Sequence, residues 1–525
     1  MKNLSIFLLA LVICIKACSQ GGGSAPTMPE RVTLPNGWSL TPVGRSLPLG
    51  DLPLNIVQSP SKKLLAVTCN GVSTQCIELI DPVNEKLLDS VVIPKSWFGL
   101  TFSADDKYLY ASGGNDNKIQ IYSINNNKLS LTDHIELGQP WPVRISPAGL
   151  AVDNAKHLIY VVTKENDSLY ILDLKSKGIV GKYHLGGEGY TCKLSSNKKE
   201  LYISCWGCDK LLIFDTQARN FKASIHVGDN PNDICVTKND HFLFVANGQD
   251  NSVSVIDLQN KKLIETLDAA LYPGSPSGST SNALALSEDE KTLYVANADN
   301  NCLAVFDVSK PGSSFSRGFI PVGWYPTAVT VTGKKVFVAN GKGFTSKANP
   351  LGPDPTRPRQ HVQVQHGDST KPQEVQYIGS LFRGTMSIFE EPDDNSLAQF
   401  SAWVYKNTPY NKSKELESPG EPGNPIPMKI GDPSPVKHVF YIIKENRTYD
   451  QVLGDVPGGN GDSSLVLFGR RITPNQHALV EQFVLLDNFF CDGEVSADGH
   501  HWSMGAYAND YLEKTWPTSY GGRGG

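Results

Sequence analysis

The sequence predicts an all-β, seven-bladed β-propeller over residues 39–390, followed by the incomplete N-terminal part of an α/β domain. Three observations carry this reading: a strand motif that recurs at a nearly constant interval, period-2 alternation inside each recurrence, and one continuous apolar run near residue 440 that ends in a carboxylate and an amide.

The recurring motif is Leu109-Tyr-Ala-Ser, Ile159-Tyr-Val-Val-Thr, Leu201-Tyr-Ile-Ser-Cys, Phe242-Leu-Phe-Val-Ala-Asn and Leu293-Tyr-Val-Ala-Asn. After an Asn/Asp/Gly turn each is followed by a second strand, and these end at Asp81, Ser123, Asp173, Asp215, Asp257 and Asp307, 42 or 50 residues apart. That interval is the length of a four-stranded blade. The alternation of apolar and polar residues suits strands packed between neighbours on both sides. Each unit opens on a Gly/Pro turn, as in Gly228-Asp-Asn-Pro231 and Gly323-Trp-Tyr-Pro326, and carries a tight turn such as Ser103–Asp106 or Ser287–Glu290. The seventh unit ends at Gly384–Phe389, and Ser39–Leu49 is placed to pair with that blade and seal the ring. The strand-end Asp residues read as turn formers rather than metal ligands, because their carboxylates bond the backbone two residues on. Asn247, Asn297 and Asn340 read as turn residues tolerant of the left-handed conformation. The repeats resemble the YVTN-type β-propeller, and the resemblance implies a closed ring with only short edges.

An insertion rich in Pro, Gly, Gln and His covers residues 341–376, and its length marks a binding or functional loop. His361 and His366 within it have no adjacent carboxylate at ligand spacing and are expected to face solvent. Ser396–Tyr405 is expected to be a helix packed beneath the ring, and the rest of 391–436 is a Pro-rich connector.

Of 525 residues, 40% are apolar and 19% charged, with a net charge of −5. This is a soluble, multidomain composition without a basic tract, so no nucleic-acid partner is expected. Residues 1–18 combine Lys2, the apolar stretch Ile6–Ile15 and Ala17-Cys18, the pattern of a signal peptide. Ile15-Lys16-Ala17-Cys18 resembles a bacterial lipobox, which implies lipidation at Cys18, with residues 19–38 as a tether. The expected location is the bacterial cell envelope, lipid-anchored at the outer membrane, or otherwise periplasmic or secreted. Export permits disulfides. Cys69 and Cys76 flank a Gly-containing turn and are spaced to bridge a hairpin, and Cys205-Trp-Gly-Cys208 reads as a hairpin pair or buried thiols rather than a redox motif.

At the C-terminal end, Lys437-His-Val-Phe-Tyr-Ile-Ile-Lys-Glu-Asn-Arg447 has the pattern of a strand buried on both faces of a parallel sheet. Ligands of such sheets sit beyond the carboxyl ends of the strands, where Glu445 and Asn446 would stand. This segment, with Asp487-Asn-Phe-Phe-Cys-Asp-Gly-Glu-Val-Ser-Ala-Asp-Gly-His-His-Trp502, resembles the phosphoesterase family that includes phospholipase C and acid phosphatases, within the alkaline phosphatase superfamily. The resemblance implies a divalent metal ion held by Glu445 and Asn446, Ser496 as nucleophile in a loop after the strand Phe483–Leu486, and a phosphate-ester substrate. Arg447, Asp487, His500 and His501 are further candidate phosphate or metal contacts. Asp492 is a ligand or a turn former, and Ser503 and Thr448 are rival nucleophiles. Residues 437–525 are few for such a domain, so little turnover is expected of this chain. The alternative is a non-enzymatic, surface-exposed propeller whose partner the sequence does not name.

Overall fold

Short alternating strands separated by Asp, Asn and Gly turns give seven four-stranded antiparallel sheets arranged around one axis. The computed structural model describes residues 26–345, 347–364, 370–410, 420–429, 431–489 and 493–524. Cys18, His366 and Asp492 lie outside the described residues.

Blade one consists of Pro53–Gln58, Leu65–Cys69, Cys76–Asp81 and Lys86–Val92, from the axis outward. Blades two to six repeat it, with innermost strands Leu100–Phe102, Pro147–Asp153, Gly189–Leu194, Pro231–Val236 and Ser281–Leu286. Blade seven is composite: Trp324–Thr332, Lys335–Gly343 and Thr385–Glu390 are joined by Arg45–Pro48 from the N-terminal side as the outermost strand. This pairing ties the two ends of the propeller sequence into one sheet and seals the ring. The insertion falls inside blade seven, between its second and third strands.

The core lies between blades. Phe244, Ala246, Val253 and Val255 of blade five pack against Leu293, Val295, Ala304 and Phe306 of blade six, all buried. Around the axis, side chains also link one innermost strand to the next. Asn55 Nδ2 donates to the Phe98 carbonyl at 2.8 Å, Asn232 Nδ2 to the Ser281 carbonyl at 3.4 Å, and Asn282 Nδ2 to the Pro326 carbonyl at 3.4 Å. The Thr327 hydroxyl donates to the Pro53 carbonyl across the seam. Where blades two, three and four meet, glycine replaces these links with close backbone approach. A Cβ on Gly99 would lie 1.9 Å from the Ala148 carbonyl oxygen, and one on Gly149 would lie 2.3 Å from the Thr191 Cα.

The strand-end Asp residues form turns. Asp81 Oδ1 accepts from the amides of Val83 and Asn84 at 2.9 and 3.0 Å, and Asp215 and Asp257 repeat the arrangement. Asn247, Asn297 and Asn340 depart from expectation. They are fully buried strand residues, the first two at strand ends, whose amides hold neighbouring groups, Asn247 Nδ2 donating to Ser252 Oγ at 2.8 Å. The left-handed residues stand four positions later, at Asn251 and Asn301.

Helix α1 (Asp394–Asn407) packs not beneath the ring but on the outermost strand of blade six, Phe315–Pro321. Ser401 Oγ accepts from the Phe319 amide at 2.8 Å, and Leu397, Trp403 and Val404 are buried. An exposed sheet edge has unpaired backbone groups, and the helix covers part of this one.

The C-terminal region differs most from expectation. His438–Ile443 forms no strand, and Val439 and Phe440 are 82% and 90% exposed. A parallel strand takes its backbone partners from strands on either side, and the described residues after 437 contain none. Phe483–Leu486 is likewise strandless and largely exposed. The described helices here are α2 (Tyr449–Leu453), α3 (Pro474–Gln482), α4 (Ser496–Gly505) and α5 (Asp510–Tyr520). Cys69 and Cys76 stand opposite each other in the register but are free buried thiols, whereas Cys205 and Cys208 form a disulfide.

Candidate functional site along the propeller axis

A propeller has two unlike faces. One carries the turns between the first and second strands of each blade. The other carries the connections between blades and the turns between second and third strands. Here the first is open and the second is covered.

Inside the open face, the innermost strands enclose an axial cavity of about 830 Å³. Its wall is mixed: Ile56, Phe102, Leu150 and Val329 alternate with Asn55, Thr191, Lys193 and Asp233. Lys193 Nζ lies 3.7 Å from Asp233 Oδ1, an ion pair inside the channel. The rim is laced by turn-to-turn contacts. Ser61 N donates to Asp106 Oδ2 at 3.3 Å, Ala104 N to Asn154 Oδ1 at 2.8 Å, and Lys238 N to Glu290 Oε1 at 2.6 Å. Lys62 reaches past blade seven to pair with Glu288. The mouth thus presents both signs of charge above a half-apolar wall.

The covered face is closed by α4 and α5. Arg523 Nη1 donates to the Val72 carbonyl at 2.9 Å, and Trp516 clusters with Val72 and Val495, against which Val364 of the insertion and Tyr377 just beyond it pack. Nearer the axis, α5 inserts Lys514. Its ammonium is 3.2 Å from Asp510 Oδ2 and sits over the rings of Tyr190 (4.7 Å) and Trp206 (5.6 Å). Burial outweighs the attraction of Asp510 and lowers the Lys514 pKa.

Beside it, Lys342 Nζ approaches Glu494 Oε1 at 2.7 Å and Glu513 Oε2 at 3.1 Å, over the Tyr325 ring at 4.7 Å. Burial acts against this ammonium, yet Glu494 and Glu513 prevail and raise its pKa. One cation does not serve all the acids around it. Burial pushes Asp299 up to about 6, and burial together with Glu494 pushes Asp498 up to about 7. Glu513 is raised well above the ordinary carboxylate value by burial and by Glu494.

The residues singled out by the phosphoesterase resemblance come together only in part. Glu445 Oε1 and His500 Nε2 meet at 3.2 Å, each about half exposed. Ser496 is the first residue of α4, with Val495 rather than Ser496 at the cap position. His501 Nδ1 is bonded to the Ala497 carbonyl at 2.7 Å, Asp487 Oδ2 accepts from the Asn460 amide at 2.7 Å, and Arg447 lies over the Phe468 ring at 5.2 Å. Thr448 caps α2, and Ser503 donates to the Gly499 carbonyl. Among the described residues, no third His, Cys, Asp or Glu ligand atom joins Glu445 and His500. Such a solvent-facing pair does not fit the metal centre that the resemblance implies.

One comparison agrees with the ring. A family model described as YNCE-like beta-propeller matches residues 28–331, more than half of the chain. The chain belongs to that family. Antigen Lp49 of Leptospira interrogans serogroup Icterohaemorrhagiae serovar copenhageni (strain Fiocruz L1-130) is 25% identical over 215 residues, 36% of this chain and 44% of that protein. The chain therefore aligns with less than half the length of that relative. Among solved structures, hydrazine synthase of Kuenenia stuttgartiensis aligns with a TM-score of 0.47 at 15% identity, covering 55% of this chain and 93% of that one. The WD40 repeats of RRP9 align with a TM-score of 0.48 at 11% identity, covering 57% and 90%.

Sequence reasoning missed Lys342, Asp299, Tyr190, Trp206 and Lys514. A faint signal existed. The position just after the second strand is Gly113, Gly248 and Ala298 in blades two, five and six but Lys164 and Trp206 in blades three and four. Both of these larger side chains meet Tyr511 of α5.

Proposed function

We propose that this chain is a non-enzymatic binding module that takes a small ligand of mixed charge into the open end of its axial channel. The observation that carries this reading is the 830 Å³ cavity, open at one face and backed at the other by α4 and α5. Its Lys193–Asp233 pair can exchange partners with a ligand carrying both signs, while the apolar wall buries the rest. Calorimetry with a panel of short peptides, each with one acidic and one basic side chain, is the test. Lys193→Ala and Asp233→Ala should each weaken binding about tenfold, equivalent to about 1.4 kcal/mol. A panel that gives no binding heat removes the channel as the site.

The module acts outside the cytoplasm, anchored through lipidated Cys18. The Cys205–Cys208 disulfide supports an oxidising compartment, and a relative named as an antigen is in keeping with surface exposure.

A second reading, hydrolysis of phosphate esters, is supported by one observation: Glu445 and His500, far apart in sequence, meet at 3.2 Å, near the helix that Ser496 opens. Loss of aryl-phosphate turnover on Ser496→Ala would favour it.

A further inference from the structure

We propose that Glu494, Asp498 and Glu513 bind a calcium-class divalent cation that fastens α4 and α5 to the covered face of the propeller. The three residues offer carboxylate oxygens that all lie within 4.8 Å of one another, with Asp498 and Glu513 buried and Glu494 partly buried. Ca²⁺ accepts a cage of protein oxygens, whereas Mg²⁺ dehydrates reluctantly and keeps several of its waters. A largely buried set of carboxylates therefore suits the larger ion, and an all-carboxylate set is hard-cation chemistry.

A second observation is independent of the clustering. Glu494 gives Oε1 to Lys342, and Asp498 gives Oδ2 to the Glu494 amide at 3.3 Å. Their other oxygens, Glu494 Oε2 and Asp498 Oδ1, are buried without a hydrogen-bond partner, and Asp498 is fully enclosed. Carboxylate oxygens out of water and without a donor are costly unless a cation takes them. With all three carboxylates ionised, Lys342 neutralises one charge of three, and a divalent ion cancels the other two. The ligands come from α4, α5 and the segment just before α4, and Lys342 comes from blade seven. Ion binding would therefore join the C-terminal segment to the ring.

The test uses the full chain stripped with chelator and titrated with Ca²⁺ alone. Calorimetry should show one site with Kd between about 1 µM and 1 mM, the weaker part of the range of protein Ca²⁺ sites, and Mg²⁺ should bind at least tenfold more weakly. Hydrogen exchange of residues 493–524 should slow when Ca²⁺ is present. Asp498→Asn and Glu513→Gln remove charge without removing volume, so the chain should fold, and each should weaken Ca²⁺ binding at least tenfold. Glu374→Gln, on the insertion, should change nothing. Two results overturn the proposal: no Ca²⁺ binding by the stripped chain, or binding that survives Asp498→Asn and Glu513→Gln unchanged.

Discussion

Lys514 places its ammonium 4.7 Å from the ring centre of Tyr190, so a helix from the C-terminal end of the chain supplies a buried cation to an aromatic ring of blade four. Cation–π attraction is strongest where water is excluded, and Lys514 is 1% exposed. Its partner Asp510 is wholly buried as well. Lys514→Met would leave Asp510 unpaired in a dry site. The expected cost is about 3–5 kcal/mol, felt as undocking of α5 rather than as collapse of the ring. Hydrogen exchange should show faster exchange over 510–520 with the blades unchanged, and adding Asp510→Asn should restore part of the protection.

Gly149 and Gly333 separate two reasons for glycine. Gly149→Ala drives a Cβ to 2.3 Å from the Thr191 Cα between blades three and four. Gly333 has open space and a left-handed φ of +62°. The first substitution should cost about 3 kcal/mol by overpacking and the second about 1 kcal/mol by backbone strain. Urea denaturation midpoints of the two variants check the order.

Asp299 gives the ring a pH signature. Thr280 Oγ1 donates to its Oδ2 at 2.6 Å, and burial lifts its pKa to about 6 against the favourable charge of Lys342. Glu494, Asp510 and Tyr507 face the same pocket. Between pH about 4 and 6 the folded chain holds a proton on Asp299 that the unfolded chain has released, so this residue makes stability fall as pH rises through that window. Asp299→Asn should flatten the slope between pH 4 and 6 and stabilise the chain at pH 7 by an amount on the order of 2–3 kcal/mol. Thermal unfolding of both proteins across that range measures the difference.

The phosphoesterase reading has a direct check. Because Glu445 and His500 are half exposed, with no third metal-capable partner among the described residues, this chain should hydrolyse an aryl phosphate no faster than buffer with Mg²⁺, Mn²⁺, Zn²⁺ or Ca²⁺. Turnover that vanishes in Ser496→Ala would replace the binding reading with an enzymatic one.

Export makes a last prediction. Mass spectrometry of protein purified from the producing cells should find Cys18 as the mature N-terminus, carrying acyl groups. An intact Met1 would remove the anchor.

The ring was legible because its information is local and repeated. Leu201-Tyr-Ile-Ser-Cys and Leu293-Tyr-Val-Ala-Asn alternate with the period of a strand, and Asp81, Asp215 and Asp257 end strands by bonding the next amides, a preference held within four residues. Even closure by Arg45–Pro48 could be read, since a ring needs one strand from its other end. Residues 438–443 show the limit of such reading. The run has the hydrophobicity of a buried strand, but burial is a property of neighbours, and the described residues bring none to it. The charged cluster was illegible for the same reason. Lys342, Asp299, Glu494 and Glu513 occupy four separate stretches of sequence, and only the docking of α4 and α5 on the propeller removes them from water together. Sequence periodicity determined that seven blades form. The excess of buried negative charge over Lys342 was decided by tertiary structure alone, because desolvation and charge pairing depend on distances that no sequence spacing encodes.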